Sequence, residues 1–243
     1  MAHGYRDYGV GQSLSDVFSL LDQAELAARL GSASIFDRSG RVLFADDFSS
    51  GLGSWYTSTS AVGDKLELAP GSGRSGGYSL LCTVASDPYS DCHAERRIAY
   101  PQSTRFGCEV SFARVGPGLV ITLSLGVTGL LGGGECGVMY DVDSGSLSVY
   151  DALGVRYVYP DAVLVPSDSS CWSSLKFTVD RVSGSWGRLR FNHVSASLSS
   201  LSLAWPAVGD EYYIALVLHA LNPSGYGGLV WFDDAILTVD EQV

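Results

Sequence analysis

Gly137-Val138-Met139-Tyr140-Asp141-Val142, Leu147-Ser148-Val149-Tyr150-Asp151 and Val155-Arg156-Tyr157-Val158-Tyr159 are three short runs of apolar and β-branched residues, broken by Asp143-Ser144-Gly145 and Ala152-Leu153-Gly154. Residues two apart share one face of a strand, and Asp, Ser and Gly supply the backbone conformations of tight turns. The stretch therefore reads as an antiparallel meander ending at Pro160. Downstream, Leu175-Lys176-Phe177-Thr178-Val179-Asp180 turns at Ser183-Gly184-Ser185, and residues 186–191 return with Arg188 and Arg190 on one face and Leu189 and Phe191 on the other. Strands are also expected at 212–219 and 229–239. Upstream, Leu66-Glu67-Leu68 and residues 78–84 flank a Gly/Ser-rich loop at 70–77, residues 106–112 alternate, and 119–127 is an almost continuous apolar run suited to a strand covered on both faces. Roughly twelve strands with turn signals about every 8 to 12 residues predict a mainly β protein, a two-sheet antiparallel jelly-roll sandwich.

The N-terminal part differs. Residues 1–12 mix Gly4, Gly9 and Gly11 with Tyr5 and Tyr8 and carry no periodicity. Ser13 and Asp16 then make an S-x-x-D capping box. Leu14, Val17, Phe18, Leu21, Ala24 and Ala28 recur at helical spacing, and Gly31 suits a C-cap. Ile35-Phe36 and Val42-Leu43-Phe44 flank Asp37-Arg38-Ser39-Gly40 as a hairpin. Two parts are expected: residues 1–45, an arm, short helix and hairpin for docking or oligomerisation, and residues 46–243, the sandwich.

The chain has 243 residues, a formal charge of -11 and a pI of about 4.6. An acidic surface repels phosphate backbones, so no nucleic-acid partner is expected. No apolar run is long enough for a membrane helix, and residues 1–12 lack the basic start and apolar core of a secretory signal. Charged residues make up only 17%, which suits an exterior covered by neighbours. Five cysteines, Cys82, Cys92, Cys108, Cys136 and Cys171, show no C-x-x-C. Cys82 and Cys92 flank a loop and could pair, but reduced, buried thiols are the expectation for a protein assembled in a cytoplasm.

Asp46-Asp47-Phe48-Ser49-Ser50-Gly51-Leu52-Gly53-Ser54-Trp55 resembles the opening strand and turn of carbohydrate-binding-module jelly rolls. Gly77-Tyr78-Ser79-Leu80 is similar to their second-strand signature, and Val230-Trp231-Phe232-Asp233-Asp234-Ala235 resembles their closing strand. The hairpin from Val179-Asp180 to Asn192 resembles concanavalin-A-like lectin and glucanase sandwiches. The stretch from Ala24-Glu25-Leu26 through Phe36-Asp37-Arg38 to Asp47-Phe48 is similar to uncharacterised bacteriophage virion proteins.

In carbohydrate-binding modules the first and last strands lie side by side and their acids hold a structural calcium. That resemblance implicates Asp47 and Asp234, one from each Asp pair, because adjacent strand residues face opposite ways. No other cofactor is expected. Asp141-Val142-Asp143-Ser144-Gly145 lacks the later acidic ligands of a calcium loop and reads as a turn. Gly73-Arg74-Ser75-Gly76-Gly77 matches G-x-S-x-G without the strand and helix that a nucleophile elbow needs. No catalytic residues are assigned. Glu67, Glu95, Glu109, Glu135 and Glu211 are scattered, and the Glu-x-Asp-x-x-Glu of concanavalin-like hydrolases is absent. Trp186, beside a glycine turn, is the expected exposed aromatic for stacking a sugar ring.

The expected function is a non-enzymatic virion structural protein, a phage capsid decoration or accessory subunit at the virion surface. Tyr5, Tyr8, Leu14, Val17, Phe18 and Leu21 would dock on the major capsid protein or another virion protein, or on sister copies in a homo-oligomer taken as a trimer. A carbohydrate-binding, lectin-like module holding a surface glycan is the alternative, and a glycoside hydrolase or lyase is the third reading.

Overall fold

Alternation of buried and exposed side chains sorts the strands into two layers. The computed structural model describes residues 40–74, 77–129, 132–159, 163–192, 194–205 and 211–241. Among them lie fifteen strands: β1 (Arg41–Asp46), β2 (Tyr56–Thr59), β3 (Lys65–Pro70), β4 (Tyr78–Val84), β5 (Ser90–Ala99), β6 (Arg105–Val115), β7 (Val120–Gly129), β8 (Gly132–Asp141), β9 (Ser146–Asp151), β10 (Gly154–Val158), β11 (Asp168–Asp180), β12 (Ser185–Phe191), β13 (Val194–Ser197), β14 (Glu211–Asn222) and β15 (Gly228–Val239). One sheet runs β13-β12-β11-β6-β15-β4-β3, with β1 also paired to β15, and the other runs β10-β9-β8-β7-β14-β5-β2. All of these pairings are antiparallel. The two-sheet sandwich expected from the sequence is what forms.

The core lies between the inward faces. Ile214, Leu216, Leu218 and Ala220 of β14 in one sheet and Phe106, Cys108, Val110 and Phe112 of β6 in the other are all buried in it. Tyr140 stacks on Phe191 at 5.1 Å between centroids, and Phe112 packs on both rings. The Tyr140 hydroxyl donates to Val163 O and accepts from Val165 N, which satisfies the polar end of a buried ring. The expected turns are present, with Gly145, Gly154 and Gly184 at positive φ. The 119–127 run becomes β7, whose outward Thr122 and Ser124 are covered as predicted.

Residues 41–46 form β1, which pairs with β15 from Arg41↔Val239 to Asp46↔Ala235. The capped helix, Ile35-Phe36 and the docking candidates Tyr5, Tyr8, Leu14, Val17, Phe18 and Leu21 lie outside the described residues.

Two β-bulges re-aim side chains. In β12 the register steps from Leu189↔Phe177 to Trp186↔Val179, three residues against two. In β15 it steps from Asp233↔Ser111 to Ile236↔Glu109, again three against two, with Asp234 at φ 51°. An inserted residue reverses which face the following side chains occupy.

A buried ion pair fastens the C-terminal end. Lys176 Nζ of β11 lies 2.9 Å from Glu241 Oε1, which also accepts from the Thr238 hydroxyl at 2.5 Å. The Glu241 side chain fills a notch made by two glycines. A Cβ at Gly40 or Gly107 would come within 3 Å of Glu241 atoms.

Candidate functional site

The outward face of the seven-stranded sheet carries an open cleft of about 370 Å³. Its composition follows from register. β5 alternates Cys92 and Ala94, which enter the core, with Asp91, His93, Glu95 and Arg97, which face outward. Across the ladders His93 pairs with His219, Glu95 with Val217 and Arg97 with Ala215. Val217 in turn faces Ser124, and Ala215 faces Gly126, which faces Glu135 on β8. Small side chains at Ala215, Gly126 and Ser124 leave the floor low, while longer groups on β5 and β8 stand on either side.

The walls are aromatic and charged. The Arg97 guanidinium lies over the Tyr56 ring at 5.3 Å and over the Tyr213 ring at 5.0 Å. The same group makes a two-point ion pair with Glu95, at 2.9 and 2.8 Å. Glu135 Oε1 accepts from the Ser124 and Tyr150 hydroxyls, each at 2.6 Å. Burial, and after it the neighbouring Glu135 carboxylate, raises the Tyr150 phenol above its usual value. His93 packs edge-on against His219, which is hydrogen-bonded to Asp91 at 3.0 Å. Burial and then His219 hold the His93 imidazole below its ordinary value, against the opposing pull of Glu95, Glu135 and Asp91. The cleft thus presents the Tyr213 ring, His93 and the Glu95 and Glu135 side chains over a floor of Gly126 and Ala215, with the Arg97 cation beside it.

Sequence reasoning reached little of this site. Glu95 and Glu135 appeared only as isolated acids, yet they line one cleft. Residues 90–99 were not recognised as a strand, although the polar positions 91, 93, 95 and 97 alternate with Cys92 and Ala94.

Trp186 is a correction. It is 0% exposed and packs on Phe177 at 5.7 Å, so it cannot stack a sugar. The β12 bulge turns it inward.

The Asp47 and Asp234 expectation is also corrected. The β15 bulge brings Asp233 and Asp234 toward one partner instead of opposite faces. Asp233 Oδ2 accepts from the Arg74 backbone N–H at 2.8 Å, and Asp234 Oδ2 lies 3.4 Å from the Arg74 guanidinium and accepts from the Ser111 hydroxyl. Asp47 is exposed and accepts from the Ser49 N–H and hydroxyl. A calcium ion does not fit this arrangement, because the guanidinium already stands as the cation beside Asp234. No group of three or more metal-ligating side chains is found among the described residues. Asp46, beside Asp47, instead accepts from Phe48 N and Trp55 Nε1 and folds the opening turn onto the sheet. The Asp141 turn is a turn, with Asp141 Oδ1 accepting from Asp143 N and Ser144 N.

Burial, together with the Asp234 charge, pushes the Asp233 carboxyl up to about 7, although the Arg74 and Asp234 N–H groups pull it down. An unfolded aspartate titrates near ~3.9. The neutral form is therefore favoured by folding. Its contribution is full below about pH 4 and is lost as pH rises through about 7, with at most about 4 kcal/mol at stake. Asp233→Asn keeps an acceptor for Arg74 N and removes the titration. Urea melts of the wild type should lose stability between about pH 4 and 7, and the variant should lose distinctly less. Parallel curves would show that Asp233 is not the group responsible.

No protein-family model matches the chain, and no curated protein matches it. Solved structures do. A Bacillus subtilis protein described as having a galectin-like fold superposes with a TM-score of 0.60 at 9% identity, covering 83% of this chain and 97% of that one. The cellulose-induced protein Cip1 gives 0.57 at 16% identity, over 80% and 96%. The carbohydrate recognition domain of Emp46p, in its potassium-bound form, gives 0.51 at 14% identity, over 82% and 94%. The chain thus has a galectin-like fold, a sandwich of two antiparallel sheets.

Proposed function

We propose that the chain is a non-catalytic carbohydrate-binding protein that holds a glycan in the cleft on the seven-stranded sheet. The observation that carries this reading is the cleft, lined by Gly126, Ala215, Tyr213, Glu95 and Glu135, with Arg97 and Tyr56 stacked beside Tyr213 and Glu95. Sugar rings need an apolar surface for their C–H faces and fixed polar groups for their hydroxyls, and a shallow site with a few convergent polar groups supplies both. Arg97, locked between two rings and a carboxylate, reaches the ligand already oriented, which limits the entropy lost on binding.

Glu95 and Glu135 make hydrolysis the second reading. Their backbones stand three interstrand steps apart, about 14 Å at ~4.8 Å per step, so the roughly 5 to 9.5 Å of a glycosidase pair would need both side chains to lean toward each other. Glu95 is also engaged by Arg97, and Glu135 by Ser124 and Tyr150. These features favour binding over turnover. Docking of residues 1–31 on a virion neighbour concerns a separate part of the chain, and a sandwich holding a glycan is compatible with it.

Tyr213→Ala is expected to weaken binding of a glycan found by array screening about tenfold, ~1.4 kcal/mol, with the melting temperature little changed. Titration calorimetry reads the affinity. Unchanged affinity in both Tyr213→Ala and Tyr56→Ala overturns the placement of the site. Release of reducing ends from the bound glycan overturns the non-catalytic reading.

A further inference from the structure

β4 and β5 follow one another in sequence but belong to opposite sheets. Each sends a cysteine into the core at the same level. Cys82 and Cys92 are both fully buried. The Cys92 thiol lies 3.3 Å from the carbonyl oxygen of Thr83, the residue next to Cys82, and 3.4 Å from that of Lys65. Burial, and after it the neighbouring Cys92 side chain, raises the Cys82 thiol well above its ordinary value. Residues 85–89 between the strands are pinned at both ends. The Ser90 hydroxyl and the Asn222 amide donate to Ala85 O, and Tyr89 N donates to Asn222 O. The Cys92 sulfur is thus held against the strand that carries Cys82.

We propose that Cys82 and Cys92 are a disulfide site that ties the two sheets together when the chain folds in the presence of a disulfide oxidant. One cysteine thiolate attacks a sulfur of the oxidant's disulfide and expels a thiolate. The second cysteine thiolate attacks the cysteine sulfur of that mixed disulfide and expels the other half of the oxidant. The cysteine pair loses two electrons and two protons, and the oxidant becomes two thiols. The reaction belongs to folding. In the finished core neither sulfur is accessible to an oxidant, and burial disfavours the reactive thiolate. The same burial shields the completed bond from reductants. Cys108, Cys136 and Cys171 are the internal controls.

The test is refolding of the full chain from denaturant in a mixture of oxidised and reduced glutathione, followed by alkylation in denaturant and tryptic digestion. Cleavage after Arg74 and Arg96 leaves both cysteines in one peptide, residues 75–96. The expected peptide carries no alkyl group and is lighter by two hydrogens, and cleavage at Asp87 or Asp91 leaves its halves joined. The oxidised chain should melt about 5 to 10 °C above the reduced chain, and a Cys82→Ser/Cys92→Ala chain should show no such difference. Alkylation of both residues in a refolded chain overturns the proposal. So does linkage through Cys108, Cys136 or Cys171, or a linked chain that melts no higher than the reduced one.

Discussion

Glu241→Ala is expected to destabilise the fold by about 3 to 5 kcal/mol, because it removes one partner of a buried ion pair, 2.9 Å from the Lys176 ammonium, together with the acceptor of the Thr238 hydroxyl. The side chains of Lys176 and Glu241 are 8% and 1% exposed. The loss is that of a pair in the protein interior, not that of a surface ion pair worth roughly 0 to 1 kcal/mol. Calorimetry should show a fall of about 10 °C or more in Tm at neutral pH. A drop below about 1 kcal/mol in the variant would mean that water reaches Lys176 in solution.

Trp186→Ala is expected to cost about 3 to 5 kcal/mol through the cavity it opens against Phe177. Trp186→Phe should cost much less. The indole N–H has no hydrogen-bond partner among the described residues, so phenylalanine also removes an unsatisfied buried donor. Glycan affinity of the Phe variant should equal that of the wild type, since Trp186 and the cleft lie on different sheets. Loss of affinity in a stable Trp186→Phe chain would return the residue to the binding surface.

These two residues also show what the sequence could and could not reveal. Strands with uninterrupted alternation, such as β8, β9 and β14, were legible because one inward face follows from a period of two. Trp186 shares parity with Arg188 and Arg190, so alternation assigns it outward. The bulge that reverses it is set by pairing with β11, where Thr178 Oγ1 accepts from Arg188 N, and a single strand's sequence carries no mark of that. Asp233 and Asp234 were misassigned for the same reason, through the bulge opposite Ser111 and Glu109. The cleft was illegible for a different reason. Its members come from β5, β7, β8 and β14, which sequence places far apart, and its floor is defined by what is small at Gly126 and Ala215. Spacing along one segment cannot report a concavity that only strand order creates.

Pairing of Arg41 with Val239, reinforced by the Arg41–Asp240 contact at 3.6 Å, makes the polypeptide enter and leave the sandwich at a single corner. Whatever precedes residue 41 and whatever follows residue 241 therefore share one point of suspension. Splicing the sandwich into a loop of a larger host molecule would require that loop to open by little more than the gap between two neighbouring strands.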